Sequence, residues 1–208
     1  DLVPIVIHDN NFNRLNPHVV NKNIENMNLS DIKKIDIGSW FDKGFEQERV
    51  PTLNELLRAD LGPIMLNLEV KVEDNASDNE IEIVVDKILD TINSTAHLYP
   101  EKELVIGSFS HKIIQAFQKR DPSLNLAGIV EKESELMNHL SLGVKILSLH
   151  HSLITPKLAQ SLKNAGISIW AWTVDDIEKS KELLSYGVEG IITDHPYNLK
   201  EHLELEAF

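Results

Sequence analysis

The residues with the clearest chemical potential sit at the ends of apolar runs. Asn67-Leu68-Glu69-Val70-Lys71 closes one such run. Alternation at period two puts Asn67, Glu69 and Lys71 on one face of a strand and Leu68 and Val70 on the other. Three polar residues on one face are costly to bury without partners. At the carboxyl end of a parallel strand they would point into the region where such folds place ligands; the alternative is a Glu–Lys pair at a solvated strand end. His8-Asp9 ends the first apolar run in the same way. A strand-end histidine can serve as general acid or base near neutral pH, or it can be a satisfied structural residue. Ser108-Phe109-Ser110, Trp172-Thr173 and Thr193-Asp194 end further runs, offering aromatic groups that either wall a pocket or simply pack.

Other chemistries find no support. His150 and His151 are adjacent, so in a strand they should point to opposite faces and not grip one ion together. There is no Gly-rich phosphate loop and no His-Glu-x-x-His. The absence of cysteine removes disulfides, thiolate metal sites and cysteine nucleophiles. With 20 Lys+Arg against 33 Asp+Glu, the net charge of −13 would repel nucleic-acid backbones and anionic membranes over most of the surface. No apolar run approaches the roughly 18 residues of a membrane span, and no signal-peptide pattern is visible.

The elements that must position these residues follow a regular rhythm. Apolar runs at Ile64–Val70, Leu104–Phe109, Leu126–Val130, Ile146–Leu149, Ile167–Val174 and Gly190–Thr193 read as six buried strands. Helical periodicity fills the intervals: Glu80–Ile92, His111–Arg120, Lys132–Leu140, Pro156–Ala165 and Asp176–Ser185. Gly143, Gly166, Gly187 and Gly190 stand near helix-to-strand junctions, where a left-handed cap or tight turn is wanted. Repeated β-then-α units imply parallel strands with right-handed crossovers, hence a doubly wound sheet or a (β/α)8 barrel. The first sixty residues differ. Pro4–His8 is strand-like, Asp9–Glu25 is polar and Asn-rich, and Leu29–Ile35 and Leu53–Asp60 read as short helices around the aromatic turn Gly38-Ser39-Trp40-Phe41. This stretch reads as an excursion from a barrel rim. At 208 residues the chain is expected to form a single domain, 1–208, with an inserted lobe at about 10–52.

Taken in order, these segments resemble the glycerophosphodiester phosphodiesterase family. The resemblance is carried by Pro4-Ile-Val-Ile-His8-Asp9, Leu29 to Phe41, Glu48-Arg-Val-Pro-Thr-Leu-Asn-Glu-Leu56, Leu66 to Lys71, Ile106-Gly-Ser-Phe109, Trp172-Thr-Val174 and Gly187 to Asp194. Each motif alone is modest; their order and spacing are specific. The resemblance implies a TIM-type (β/α)8 barrel, with its site at the carboxyl ends of the strands. It implies hydrolysis of a small-molecule glycerophosphodiester to glycerol 3-phosphate and an alcohol, with a divalent cation, Mg²⁺ or Ca²⁺. It casts His8 as one of two catalytic histidines, Glu69 as a metal ligand and Lys71 as a phosphate-side contact. Phe109 and Trp172 become apolar walls of the substrate pocket.

The departures concern the amino-terminal side. The family's opening His-Arg-Gly, Pro-Glu-Asn and Glu-x-Asp segments cannot be placed, and Asp1 begins almost inside an apolar run. The expectation is a barrel incomplete at its N-terminus, in which the second histidine, a phosphate-binding arginine and two acidic ligands are missing. These 208 residues alone should then show little turnover and marginal solubility. Asp175 stands where the family commonly has Asn, a change given little weight. Two other readings compete: a non-catalytic relative that binds a glycerophosphoryl ligand, and a lysophospholipase D-like enzyme, for which Trp40 and Phe41 are the visible hint. Compact size resembles the family's short cytoplasmic members, although a lost leader would alter that; oligomeric state is not legible.

Overall fold

The computed structural model describes residues 1–16, 18–19, 22–62, 64–72, 75–98 and 104–203. Six strands form one parallel sheet whose spatial order is the chain order: β1 (Leu66–Glu69), β2 (Leu104–Ser108), β3 (Asn125–Val130), β4 (Ile146–His150), β5 (Ser168–Trp172) and β6 (Gly190–Ile191). All six lie within the apolar runs expected to be strands, Asn125 and His150 excepted. Between them run α3 (Asp78–Thr95), α4 (His111–Arg120), α5 (Glu133–Leu140), α6 (Pro156–Asn164) and α7 (Ile177–Ser185). Before β1 come α1 (Leu29–Ile32) and α2 (Leu53–Arg58), and after β6 comes α8 (Pro196–His202), which the sequence reading did not expect. Strands following one another in sequential parallel order, each reached through a helix, form the α/β architecture of the TIM-barrel type.

Compactness divides the chain into two units: Asp1–Ile64 with Glu82–Lys102, and Met65–Ile81 with Glu103–Phe208. In the second unit, α4, α5 and α6 pack on the sheet. Ile106, Leu126, Val130, Leu147, Leu149 and Ile169 are buried, as are Ile113, Ile114 and Phe117 of α4 and Ala159 and Leu162 of α6. One approach is closer than a side chain would allow. A Cβ at Gly128 would stand 2.6–2.7 Å from the His139 ring and Cβ, so the bare backbone of β3 is what admits that imidazole. Gly143, Gly166 and Gly187 leave their helices with positive φ, as expected; Gly190 instead lies in β6, where its missing Cβ makes room for Trp170.

The first unit is built differently. Phe12, Leu15, Ile24, Ile32, Ile35 and Val50 form its small core, flanked by partly buried Ile5, Ile7, Val19, Met27 and Ile37. Over residues 1–64 its regular elements are short, and side chains do much of the backbone's hydrogen bonding. Asp36 Oδ1 accepts from the amides of Gly38 and Ser39, at 2.8 and 3.0 Å, and Asp42 Oδ1 from that of Gly44, at 2.7 Å. A capping box at Thr52 and Glu55 starts α2. The strand expected at Pro4–His8 is reduced to one antiparallel bridge, Ile5 to Thr52, with Val6 N–H donating to Pro51 O and Leu53 N–H to Pro4 O. A proline in each segment removes a donor, so the ladder does not extend. The helix expected through Ile35 ends at Ile32, and that expected through Asp60 ends at Arg58.

Candidate active site

In the second unit the candidate residues share one face of the sheet. Glu69 on β1 stands opposite Gly107, two residues before Phe109. The register carries the same face through Ala127 on β3 to Ile146, Ser148 and His150 on β4, and from His150 directly to Trp172 on β5. Glu69, Phe109, His150 and Trp172 therefore occupy the carboxyl ends of β1, β2, β4 and β5 on one side of one sheet.

Their curvature is measurable. The rings of Phe109 and Trp172 meet edge to face, centroids 5.4 Å apart and planes at 89°. Two strands separate β2 from β5, so in a flat sheet these positions would lie about 14 Å apart, three interstrand spacings. Contact requires the sheet to curl, with this face on the concave side. Trp172 is held by its indole N–H, which donates to Ser148 O at 3.0 Å.

The backbone around Glu69 and Lys71 is tied as firmly. Val70 N–H donates to Gly107 O at 2.8 Å, and the buried Ser108 hydroxyl donates to Val70 O at 2.7 Å. The same hydroxyl accepts from Ser110 N–H at 3.1 Å, which fixes the exit of β2 on either side of Phe109. Lys71 Nζ lies 3.6 Å from Glu69 Oε1, both side chains substantially exposed. A pair so solvated contributes about 0–1 kcal/mol to stability. At the far end of the sheet, Asp175 Oδ1 accepts from Thr193 Oγ1 at 2.7 Å and Asp194 N–H at 2.9 Å. These bonds, that from Thr193 first, lower the Asp175 carboxyl below its ordinary range and give the family departure a structural role.

His8 belongs to the first unit. Its Nδ1 lies 2.8 Å from Asp9 Oδ1, and Arg14 Nε donates to the other Asp9 oxygen at 2.9 Å. The His8 hydrogen bond, then that of Arg14, holds the Asp9 carboxyl below its usual value. An ionised carboxylate only accepts, so His8 presents Nδ1–H to Asp9. The imidazole is 80% exposed, which leaves it accessible for proton transfer. Arg14 in turn stacks over Trp40, 4.7 Å from the ring centroid. The orienting parts of Asp9 and Arg14 were missed in the sequence; the adjacency His8-Asp9 was the available signal for the first.

One expectation is overturned. His150 and His151 do not face opposite ways: their rings stack with centroids 4.5 Å apart and planes at 30°. β4 ends at His150, and a 3₁₀ turn, His151–Leu153, breaks the alternation. The His150 ring also meets Trp172 edge-on at 5.2 Å.

As for a cation, Glu69 is a hard oxygen donor of the kind Mg²⁺ or Ca²⁺ takes. It would supply one of the several oxygen ligands such an ion takes. Among the described residues no group of three or more His, Asp or Glu could hold one.

Comparison with known proteins decides the family. The model of the glycerophosphoryl diester phosphodiesterase family matches residues 1–198. The chain belongs to that family. The glycerophosphodiester phosphodiesterase of Caldanaerobacter subterraneus is 30% identical over 209 residues, covering 94% of this chain and 78% of its own. That of Bacillus subtilis is 24% identical over 210 residues, covering 92% and 69%. Among solved structures, an Oleispira antarctica phosphodiesterase in complex with the product sn-glycerol-3-phosphate has a TM-score of 0.87 at 21% identity, covering 98% of this chain and 81% of that one. A glycerophosphodiester phosphodiesterase from Parabacteroides distasonis has a TM-score of 0.78 at 22% identity, covering 96% and 77%. The α/β barrel type that the resemblance implied is therefore the fold of the glycerophosphodiester phosphodiesterases, which are phosphoric diester hydrolases.

Proposed function

We propose that this protein hydrolyses a glycerophosphodiester to glycerol 3-phosphate and an alcohol, with His8 moving the proton and Glu69 contributing one ligand to a divalent cation, Mg²⁺ or Ca²⁺. The observation that carries the reading is the convergence of Glu69, Phe109 and Trp172 on the concave strand-end face, in a chain whose family model spans nearly its whole length. A bound cation would neutralise phosphoryl oxygen charge. Lys71, next along the strand face from Glu69, adds a positive charge for the phosphate. Phe109 and Trp172 offer an apolar corner against which the carbon skeleton of the glycerol can pack. His8, oriented by Asp9, protonates the departing alkoxide, a step typically worth 10²–10⁴-fold.

The test, on the full-length protein, is release of glycerol 3-phosphate from glycerophosphocholine, with added Mg²⁺ or Ca²⁺ and with chelator. Turnover that chelator removes, and that His8→Ala lowers by about 10²–10⁴-fold, supports the proposal. Wild-type rates in both His8→Ala and Glu69→Ala would overturn the assignment. Binding of glycerol 3-phosphate without turnover would instead favour a non-catalytic relative. A second enzymatic reading, toward lysophospholipids, is favoured by the exposed aromatic run Trp40, Phe41 and Phe45, 46%, 71% and 46% exposed. Preference for lysophosphatidylcholine over glycerophosphocholine would select it.

A further inference from the structure

His150 has a defined neighbourhood that the family assignment leaves without a role. It closes β4 in register with Trp172, its ring against the Trp172 edge and stacked on His151. Its protonation pattern is set from below. In the 3₁₀ turn that follows, the Ser152 amide N–H points at His150 Nδ1, 3.4 Å away, and Ser152 Oγ lies 2.7 Å from the same atom. A backbone amide can only donate, so Nδ1 is the accepting nitrogen. The neutral ring must then carry its proton on Nε2. Ser152 thereby fixes the tautomer, as a partner on one nitrogen does for histidines elsewhere. The outcome is an N–H donor, rigidly held between two aromatic rings, on the face that bears Glu69 and Phe109.

We propose that His150 is a further substrate-contact residue, whose Nε2–H donates to an oxygen of the glycerophosphoryl group, and that Ser152 is the positioning residue that keeps the proton there. This rests on the reading of the concave strand-end face as the substrate site. A glycerophosphoryl group supplies the acceptors, hydroxyl and phosphoryl oxygens on a three-carbon skeleton, and Trp172 beside the ring supplies an apolar surface for those carbons. The donor, held in one place, discriminates by position.

The substitutions His150→Gln and His150→Asn separate this from a packing role, because the glutamine amide nitrogen reaches the Nε2 position and the asparagine amide nitrogen falls near Nδ1. Binding of glycerol 3-phosphate to the full chain, in buffer with Mg²⁺ or Ca²⁺, is measured by calorimetry, with melting curves confirming that each variant folds. His150→Gln is expected to stay within about threefold of wild type, and His150→Asn and His150→Ala to weaken binding by about tenfold, the loss of one hydrogen bond to a charged or polar oxygen. Nitrogen-resolved NMR of the unliganded wild type should show the Nε2–H tautomer at His150; Ser152→Ala, which keeps the backbone amide, should retain it, and Ser152→Pro, which removes that donor, should blur it into a mixture. Equal affinity in all three His150 variants while Lys71→Ala loses affinity would overturn the proposal and leave the site standing. An Nδ1–H tautomer in the wild type would overturn it independently. Absence of binding by wild type would overturn both the proposal and the site beneath it.

Discussion

The two units of this molecule hold their candidate chemistry by opposite means. In the second unit a continuous parallel ladder carries Glu69, Phe109, His150 and Trp172, and their spacing follows from strand register. In the first unit His8 sits beyond a single β-bridge, oriented by the side chains of Asp9 and Arg14. A ladder places groups to within a fraction of a residue step, whereas side-chain bonds in an irregular segment place them only as well as a few contacts allow. The contrast suits the roles proposed: binding groups on a strand ladder, and a proton carrier oriented by neighbouring side chains.

That contrast can be broken by mutation, starting with the cores. Phe117 on α4 and Phe12 are both fully buried. Replacing either by Ala removes a ring and leaves a cavity, costing about 3–5 kcal/mol. The sheet-backed Phe117 site has less room to collapse and should lie at the upper end, with Phe12→Ala at the lower. Urea denaturation of both variants measures this, and a reversed ranking would show the small core to be the more rigid. Next in size is Gly128→Ala, which forces a methyl to within 2.7 Å of the His139 ring; a cost of about 1–3 kcal/mol is expected. His139→Ala in the same background should recover much of it. In the irregular unit, Thr52→Ala removes the cap of α2 and should cost about 1 kcal/mol, read by the same denaturation.

The smallest effects come from pH, and they separate the units by window. Burial holds the His139 imidazole below its ordinary value, with its Nε2 3.1 Å from Phe109 O. The unfolded chain therefore binds more protons there, and the stability this group confers is complete above about pH 6.5 and declines as pH falls below it. Asp9 is shifted downward by His8 and Arg14, so its contribution is present above about pH 4 and is lost only as pH falls through its lowered folded value. Residue-resolved amide exchange between pH 7 and 5 should show protection falling around β2 and α5 before it falls around residues 8–14. Simultaneous loss in both would refute the separation.

The sequence carried most of the regular unit because its signals are periodic. Apolar runs of strand length and helices of 3.6-residue period place β1 to β6 and α4 to α7 within a residue or two, and strand-end position marks Glu69, Lys71, Phe109 and Trp172. Curvature has no such signature. The contact between Phe109 and Trp172 depends on the summed twist of four strands, and the stacking of His150 on His151 depends on a strand stopping at one residue and not the next. The irregular unit was harder for a related reason. Asp36, Asp42 and Asn16 bond to backbone groups two to twenty residues away, and these bonds leave no repeat in the chain. The resemblance to the phosphodiesterases, resting on motif order, bridged that gap where periodicity could not.

The edge-to-face pair of Phe109 and Trp172 has a use beyond the apolar corner proposed for it. Because it joins non-adjacent strands, its separation is a gauge of how tightly the β2–β5 wall is rolled. A small unrolling moves the indole away from its partner long before any ladder bond is lost. Emission from Trp172, in a variant with the other tryptophans replaced, would report that slackening directly, making one aromatic contact a built-in sensor of the curvature of this wall.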